Sequence, residues 1–380
     1  RRSKGCMGLV LESRARCSVA VASLESYSSF VREVDDECAF VRASGDFLFS
    51  GSRSGEVACW NISSGAEIWR MMFDGPCSDS DCNEEFLFFC ESGSIHAIRI
   101  SSGEVIWSVR LEGSSDFVRV SNGFVWVTTS VYNFEIQDYS EGAVWQIDFG
   151  GDVRNRFETV GRAWSLSAQE SQVVMGLSRP RCGYAIVTEE DGIEYLELEE
   201  QHPVTIGNEG GDCPVVLGHS NGMVTEIVGH KVGTTAHGES SVRAIDHSDG
   251  WVVGLDSGFV SSSEFFGSWS VNLHGVIDIV RFGPSLGDEK GVWASSWEKE
   301  SKIFLIDSSD GSVGLEISHH SRIGCSFSIG NAICFGDSSG CVYVVEEDVL
   351  RRRFSLPAEE ISEEDRNSEM RRKIRGLRGG

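Results

Sequence analysis

The sequence predicts an all-β fold, a single β-propeller of eight four-stranded blades, and three observations support that class. A short apolar run, a turn rich in Gly, Ser, Asp and Asn, and a second apolar run recur eight times in 380 residues. Successive copies start 37–41 residues apart, with one step of 49 residues. A period near 40 residues built from short strands is typical of propeller blades. The eight copies of the repeat begin near Phe47, Phe86, Phe124, Val173, Pro214, Trp251, Val292 and Ala332. A ring of seven blades is the alternative.

The first blade shows why each strand is expected. Residues 39–43 form an apolar inner strand and residues 46–50 its neighbour. The turn at 52–55 ends in Gly55, a residue that tolerates a positive φ. Residues 56–60 return across the blade, and a second turn rich in Asn, Ser and Gly leads to an outer strand beginning at residue 66.

The chain divides into three segments around this ring. Residues 39–357 are predicted to form the propeller. In the preceding segment, 1–38, residues 17–23 predict a strand that closes the ring, since an open ring leaves unpaired strand edges. Part of a preceding blade is the alternative. In 358–380 acidic residues precede basic ones, which favours a short charged helix followed by a flexible end.

A large aromatic residue recurs on the predicted outer strands. Trp69, Trp107 and Trp145 are 38 residues apart, and Tyr195 takes the matching place in the fourth blade. The wedge between neighbouring blades widens away from the axis, so a large ring is needed to fill it. We interpret these tryptophans as packing residues.

Two segments carry a family resemblance. Residues 51–61, Gly-Ser-Arg-Ser-Gly-Glu-Val-Ala-Cys-Trp-Asn, resemble the strand pair of a WD-repeat, with Asn61 where that family usually has Asp. Residues 92–107 are similar to the PQQ-like repeat of quinoproteins. The resemblance implies a propeller, but it does not imply the quinone, because such repeats also occur in propellers without a cofactor. The chain has no adjacent Cys-Cys pair of the kind found in quinone-dependent dehydrogenases, and no cofactor is predicted.

Composition narrows the choice of partner. The formal net charge is −25, which disfavours nucleic acid and anionic membranes and favours a basic protein or peptide. A merely solvated acidic surface is the alternative.

No run of apolar residues approaches the length of a membrane span. Twelve cysteines without a Cys-x-x-Cys pair indicate reduced thiols in a reducing compartment, so a cytoplasmic location is expected. We also expect the protein to be a monomer. A Cys77–Cys82 bridge is an alternative, and so is a removed leader, since the chain starts at Arg1.

Candidate functional residues are few. Four histidines between 219 and 247 and two Asp-rich turns are interpreted as surface and turn residues, so no metal is predicted. No nucleophile elbow, phosphate-binding loop or zinc-protease motif stands out from the turns of the repeat. The 49-residue step predicts an insertion in the fourth blade, at 150–157 and 179–183. Its basic cluster is a candidate protein contact: Arg154, Arg156, Arg179 and Arg181.

The C-terminus supplies a separate hypothesis. Residues 377–380, Leu-Arg-Gly-Gly, are identical to the last four residues of ubiquitin, and a diglycine end fits a narrow adenylating pocket. Gly379 and Gly380 are therefore a candidate conjugation or processing site. The function favoured by the whole sequence is a non-enzymatic scaffold that binds a protein or peptide on one face of the ring. The alternatives are an enzyme or cofactor binder using the central channel, and conjugation through the C-terminus.

Overall fold

Thirty-two strands in the described part of the chain pair as eight antiparallel sheets of four strands each. The structure is a computed structural model, and it describes residues 23–170, 172–229 and 231–356. The prediction of eight blades is confirmed, and the seven-bladed alternative is wrong. Within each sheet the strands follow chain order from the innermost to the outermost, except in the last blade.

The strand bounds follow the repeat. Blade one consists of β2 (Cys38–Ser44), β3 (Phe47–Ser52), β4 (Glu56–Asn61) and β5 (Glu67–Met72). Blade two consists of β6 (Cys77–Cys82), β7 (Phe86–Glu91), β8 (Ser94–Arg99) and β9 (Val105–Arg110). Blade three consists of β10 (Ser114–Ser121), β11 (Phe124–Asn133), β12 (Asp138–Asp148) and β13 (Val153–Val160). Blade four consists of β14 (Ala163–Ala168), β15 (Val173–Leu177), β16 (Gly183–Thr188) and β17 (Gly192–Leu196).

The second half of the ring has the same plan. Blade five consists of β18 (Val204–Gly207), β19 (Val215–His219), β20 (Met223–Val228) and β21 (Lys231–Ala236). Blade six consists of β22 (Val242–His247), β23 (Trp251–Leu255), β24 (Phe259–Ser262) and β25 (Ser270–Asn272), with a 3-10 turn at Glu264–Phe266. Blade seven consists of β26 (Val276–Gly283), β27 (Gly291–Trp297), β28 (Ser301–Asp307) and β29 (Val313–His319). Blade eight consists of β30 (Ile323–Ile329), β31 (Ala332–Asp337), β32 (Cys341–Glu346) and β1 (Phe30–Glu33).

An early strand closes the ring. β1 pairs antiparallel with β32 and is the outer strand of blade eight. Two short helices support it, α1 (Leu24–Tyr27) and α2 (Glu347–Phe354), and Arg353 donates to the carbonyl oxygens of Ser26 and Ser28. Of the predicted closing strand, 17–22 lie outside the described residues, as does the tail from 357 onward with Gly379 and Gly380. No helix in the described ranges is long and apolar enough to cross a membrane.

The first strand of each blade lines the central channel. In all eight blades its pairing with the second strand shifts register near its start, as at Cys38/Phe40 in blade one. Such bulges increase the local twist. The cores lie between blades: Phe49 and Trp69 of blade one pack with Phe89 and Ile98 of blade two.

Two of the three predicted tryptophans lie on outer strands and reach the next blade. The Nε1 of Trp69 on β5 donates to the Ile100 carbonyl oxygen at 2.7 Å, and that of Trp107 on β9 donates to Phe149 at 2.9 Å. Trp145 differs from the prediction. It lies on the third strand, β12, and donates to Thr129 of its own blade at 3.0 Å.

Blade three breaks the 38-residue aromatic spacing because its second and third strands are longer than those of blades one and two. The outer position there belongs to Phe157 on β13, beside Gly192 of blade four. Trp269 repeats the Trp69 contact in blade six, since its Nε1 donates to the Ser308 carbonyl oxygen at 2.7 Å.

The tryptophan wedge gives a stability prediction. Gly103 has φ +75° and faces Trp69, such that an added Cβ would lie 2.8 Å from the ring atom Cγ. Gly123 has a similar φ of +81° but no atom within 4 Å of that position. We expect Gly103→Ala to lower the free energy of unfolding by about 3 kcal/mol and Gly123→Ala by about 1 kcal/mol, since only the first adds a clash to backbone strain. Urea unfolding measures the stability of both variants. Equal losses of stability would contradict the claim that Trp69 packs tightly against Gly103.

The ten cysteines of the described residues are free thiols. Cys77 and Cys82 lie five residues apart on the single strand β6. An extended strand rises about 3.3 Å per residue, which separates the two thiols well beyond disulfide reach. The alternative of a Cys77–Cys82 bridge is therefore wrong.

Candidate functional site on the upper face of blades three to five

The strand order defines two faces of the ring. The upper face carries the turns between second and third strands and the connections between blades. The lower face carries the turns between first and second strands and between third and fourth strands. This follows because each blade is an antiparallel meander whose first strands all line the channel.

The insertion behind the 49-residue step belongs to blade three, not to blade four. β11 and β12 are 10 and 11 residues long, whereas the corresponding strands of blades one and two have six residues each. The two strands form a hairpin that rises above the upper face, with its turn at 134–137. The predicted location was wrong because the step from 124 to 173 also contains the third and fourth strands of blade three.

The end of this hairpin is apolar and exposed. Phe134 has 85% of its surface exposed and Ile136 has 60%. The turn itself is ordered by Asn133, whose Oδ1 accepts from the backbone N–H of Glu135 at 2.9 Å, and by Gln137, which takes a φ of +55°. We call residues 131–141 the blade-three hairpin.

A row of aromatic rings continues from the hairpin toward the channel. The ring centroids of Phe134 and Tyr132 are 5.2 Å apart, and those of Tyr132 and Tyr139 are 5.3 Å apart. Tyr139 meets Trp164 on β14 edge to face, at 6.3 Å. β14 is a first strand, so the row reaches from the tip of the hairpin to the rim of the channel. We call these four side chains the aromatic row.

Arg162 fixes the inner end of the row. Its guanidinium lies 5.0 Å from the ring centroids of both Tyr139 and Trp164, and it pairs with Asp116 at 2.8 Å. Burial raises the pKa of Asp116, although Arg162 acts in the opposite direction. The ion pair and the cation–π contacts hold the two rings in place.

The four predicted contact arginines do not form one patch. Arg154 and Arg156 lie on β13, the outer strand of blade three. Arg154 pairs with Asp148 through Nε at 2.8 Å, near the lower face. Arg156 pairs with Glu112 and with Glu158, at 2.8 Å in each case. These acidic partners neutralise both arginines.

Arg179 and Arg181 lie on the upper face, in the turn between β15 and β16. The guanidinium of Arg181 stacks on Tyr195 at 4.4 Å from the ring centroid. The Arg179 carbonyl oxygen approaches Gly161 in the connection from blade three to blade four. This turn is therefore a neighbour of the blade-three hairpin, and its two arginines stay candidate contact residues.

A cleft of about 390 Å³ opens on the same face, between blades four and five. His219 lies at its floor, with Nε2 2.8 Å from the Thr225 hydroxyl and Nδ1 3.2 Å from the His202 carbonyl oxygen. Burial lowers the pKa of His219, which keeps the ring neutral. The lining includes three carboxylates of the connecting loop: Glu197, Glu199 and Glu200.

The lower half of the channel is crossed by charged side chains, which we call the channel ion layer: Arg42, Asp79, Asp81, Arg119, Glu209, Asp246 and Arg281. The central contact joins Arg42 of blade one to Glu209 at 2.6 Å, and Glu209 comes from the β18–β19 turn of blade five. Blades one and five are opposite in a ring of eight, so this ion pair spans the channel. Arg119 pairs with Asp79 at 2.5 Å, and Arg281 with Asp246 at 3.3 Å.

The carboxyl groups of the layer differ in the direction in which their pKa values are shifted. Burial alone would raise the pKa of Glu209, but Arg42, Arg119 and Arg281 outweigh burial and hold it well below its ordinary value. For Asp81 and Asp246 burial prevails and raises the pKa despite the neighbouring arginines. The layer therefore stabilises the charged form of Glu209, in contrast to Asp81 and Asp246.

The lowered pKa of Glu209 predicts that folding stability decreases at acid pH, and substitution of Glu209 measures how much of the decrease this residue causes. The folded pKa of Glu209 lies below its ordinary value of 4.5, so its stabilising effect is complete above that pH and is lost as pH falls through the folded pKa. We expect the stability difference between the natural chain and Glu209→Gln to be constant near neutrality and to shrink below pH 4.5. Urea midpoints at several pH values measure it, and a difference that does not vary with pH would contradict the assignment.

No group of three or more His, Cys, Asp or Glu suited to a metal ion is found among the described residues. At the lower mouth of the channel, a cavity of about 360 Å³ is lined by Asp246, Arg281, Cys213 and Lys290. The channel ion layer forms its inner boundary, because two of these residues belong to both.

Comparison with known proteins agrees with the propeller fold. A family model of PQQ-type repeats, described as outer membrane protein assembly factor BamB, matches residues 32–132, which is less than half of the chain. No curated protein sequence matches the chain. The predicted resemblance to WD-repeat and quinoprotein-like propellers is confirmed at the level of the repeat and the fold.

Several solved structures share the fold. The computationally designed protein Ika8 is 17% identical, with a TM-score of 0.66 over 83% of this chain and 98% of its own. BamB from Moraxella catarrhalis is 14% identical, with a TM-score of 0.62 over 83% of this chain and 96% of its own. Sqt1 from Saccharomyces cerevisiae is 11% identical, with a TM-score of 0.65 over 86% of this chain and 99% of its own. At these identities the likeness shows the fold alone. The chain is an eight-bladed β-propeller.

Sequence reasoning missed the exposed aromatic end of the hairpin. The signal was present in residues 131–139, where two-residue alternation continues past the usual strand length and ends in Asn-Phe-Glu-Ile-Gln. An apolar pair inside a polar turn, in a blade longer than its neighbours, is the pattern that would have identified it.

Proposed function

We propose that this protein is a non-enzymatic scaffold that binds a partner protein through the upper face of blades three to five. The observation that carries the proposal is the blade-three hairpin, which places an exposed aromatic and an exposed aliphatic side chain at its end. Large exposed apolar side chains clustered together mark interaction sites on soluble proteins.

The surroundings of the hairpin support the choice of face. The aromatic row, the Arg179–Arg181 turn and the cleft between blades four and five lie side by side in three consecutive blades. The lower half of the channel is filled by paired charges, which favours a surface rather than the channel as the contact. The family and fold comparisons point to propellers in general and are compatible with this proposal.

Partner, compartment and assembly are part of the same proposal. A net charge of −25 favours a basic partner over a nucleic acid. The free thiols of the described residues support a reducing compartment such as the cytoplasm. The ring closes on itself through β1 and β32, so the fold needs no second subunit to complete a blade.

Affinity purification from the native organism tests the proposal with four forms of the chain. These are the intact chain, a chain ending at residue 356, a chain in which 134–137 are replaced by Asn-Gly, and Phe265→Ser. Phe265 is 67% exposed on the lower face and is the matched control. We expect the intact, shortened-tail and Phe265→Ser chains to retain a stoichiometric partner that the hairpin variant loses. If no form recovers a partner, the proposed scaffold function is wrong. If only the chain ending at residue 356 loses the partner, the assignment of binding to the upper face is wrong.

A further inference from the structure

The blade-three hairpin combines two kinds of side chain that the fold does not use. Its apolar group consists of Val131, Tyr132, Phe134 and Ile136, all of which are exposed. Phe134 and Ile136 make no contribution to any buried core cluster of the described chain. Exposed side chains of this size lose apolar contact with water only when another molecule covers them.

The second group is acidic. Glu135 lies between Phe134 and Ile136 at the tip, and Asp138 and Glu141 follow on β12. None of the three forms an ion pair within the described residues, unlike Arg154 and Arg156 of the same blade, which find carboxylate partners. The nearby Arg162 is already committed to Asp116 and to the Tyr139 hydroxyl. The hairpin therefore presents apolar side chains among carboxylates that lack a cation.

The aromatic row gives this surface a length. Its four rings are separated by 5.2, 5.3 and 6.3 Å between successive centroids. The row extends at most roughly 17 Å, which matches about five residues of an extended segment or three turns of a helix. A short linear segment can cover it, and no large folded interface is needed.

We propose that the blade-three hairpin binds a short segment of the partner in which apolar residues are flanked by Lys or Arg. The apolar residues pack on Phe134 and Ile136, and the flanking cations pair with Glu135, Asp138 and Glu141. This inference rests on the scaffold function proposed above and names the chemistry of its partner. Charge complementarity of this kind raises the association rate and excludes acidic competitors.

Two other occupants fit the surface less well. A second copy of the chain would bring the same three carboxylates against the first, and like charges placed together at an interface are unfavourable. An anionic lipid surface would meet the same repulsion. A cationic, apolar segment is the occupant that the charges favour.

Peptide display tests the chemistry with the full chain as bait. A random peptide library is selected on the intact protein and counter-selected on the double variant Phe134→Ser/Ile136→Ser. We expect enriched sequences to carry at least one apolar residue within four positions of two or more Lys or Arg. Fluorescence anisotropy on the enriched peptides should then give a Kd weakened by about tenfold or more in the double variant, since a central apolar anchor is lost.

Charge and position are tested separately. In Glu135→Gln/Asp138→Asn/Glu141→Gln the apolar anchors remain, so we expect the Kd to weaken by roughly three- to tenfold and its salt dependence to flatten. Phe265→Ser is the matched control, since it also replaces an exposed phenylalanine but on the lower face, and it should leave the Kd unchanged. All substituted side chains are exposed or at the surface, and urea unfolding checks that each variant folds as the natural chain does.

Several outcomes would overturn the inference. Enriched peptides that are acidic, or apolar without cations, would show that the charge argument is wrong. Selection of no peptide that depends on Phe134 and Ile136 would also reject it. A concentration-dependent dimer in analytical ultracentrifugation that the double variant abolishes would assign the hairpin to self-association instead. In each case the purification experiment above still decides whether the ring is a scaffold, because it does not depend on the partner's charge.

Discussion

Arg42→Ala is expected to lower the free energy of unfolding by about 3–5 kcal/mol, the range for removing one member of a buried ion pair. The Arg42 side chain is only 6% exposed. It bonds to Glu209 of blade five and to the Ser80 carbonyl oxygen of blade two, and its guanidinium lies 4.8 Å from the Phe327 ring centroid of blade eight. One side chain on β2 thus joins three other blades across the channel.

The loss arises because the carboxylates around Arg42 lose their nearest cation. Without Arg42, Asp81 and Glu209 keep only the weaker attraction of Arg119, with Arg281 4.0 Å from Glu209, and burial already raises the pKa of Asp81. Arg53→Ala is the control, since Arg53 is also in blade one but is 51% exposed, with its nearest carboxylate, that of Glu37, 3.9 Å away. Surface pairs of that kind contribute less than about 1 kcal/mol. Urea unfolding of both variants decides the matter, and similar losses for Arg42→Ala and Arg53→Ala would contradict the role given to the channel ion layer.

A double substitution separates the ion pair from packing. In Arg42→Ala/Glu209→Ala the carboxylate that has lost its nearest cation is removed as well, so part of the loss should be recovered. Glu209 is 35% exposed, and water entering the channel screens its charge, which limits that recovery to about 1–2 kcal/mol. If the double variant lost the sum of the two single losses, Arg42 would act through contacts other than Glu209, such as the Ser80 carbonyl oxygen and the Phe327 ring.

The ring could be predicted from the sequence because the contacts within a blade join residues that are close together in the chain. Strands β2–β5 are joined by turns whose Gly, Ser and Asn residues can be recognised within 40 residues, and their pairing partners are neighbours in the chain. The count of eight follows from repetition of that unit. Even the failure at Trp145 has a local cause, since the longer β11 and β12 move a residue of fixed spacing from the outer strand to the third strand.

The candidate site could be predicted only in part because its contacts are not local. Arg42 and Glu209 are 167 residues apart, and nothing in either neighbourhood indicates the other. The basic cluster is divided in space for a similar reason. Arg156 finds its partner Glu112 in the connection before blade three, 44 residues earlier, so half of a cluster that is cationic in sequence is neutralised by distant carboxylates. The exposure of Phe134 likewise depends on the absence of a covering element, which periodicity cannot reveal.

Asp337→Ala is expected to lower the free energy of unfolding by about 4 kcal/mol, because several buried donors lose their acceptor at once. The carboxylate is fully buried at the start of the β31–β32 turn. Its Oδ1 accepts from the backbone N–H groups of Ser339 and Cys341, each at 2.9 Å. Its Oδ2 lies 2.9 Å from His319 Nε2 of blade seven and accepts from the Tyr343 hydroxyl at 3.2 Å. Burial would raise the pKa of Asp337, but hydrogen bonds from His319, Ser339 and Cys341 outweigh burial and lower the pKa.

The position of Asp337 makes the effect regional as well as large. It orders β31 and β32, and β32 is the strand to which β1 pairs in closing the ring. We therefore expect amide hydrogen exchange in Asp337→Ala to rise first in β1 and β32, before blades two to six. Asp256→Ala is the control, since Asp256 begins the same turn in blade six but is 46% exposed and pairs only with Arg243 at 3.3 Å. That variant should lose less than about 1 kcal/mol. Equal losses in the two variants, or exchange that rises uniformly around the ring, would mean that Asp337 does not hold the closing blade.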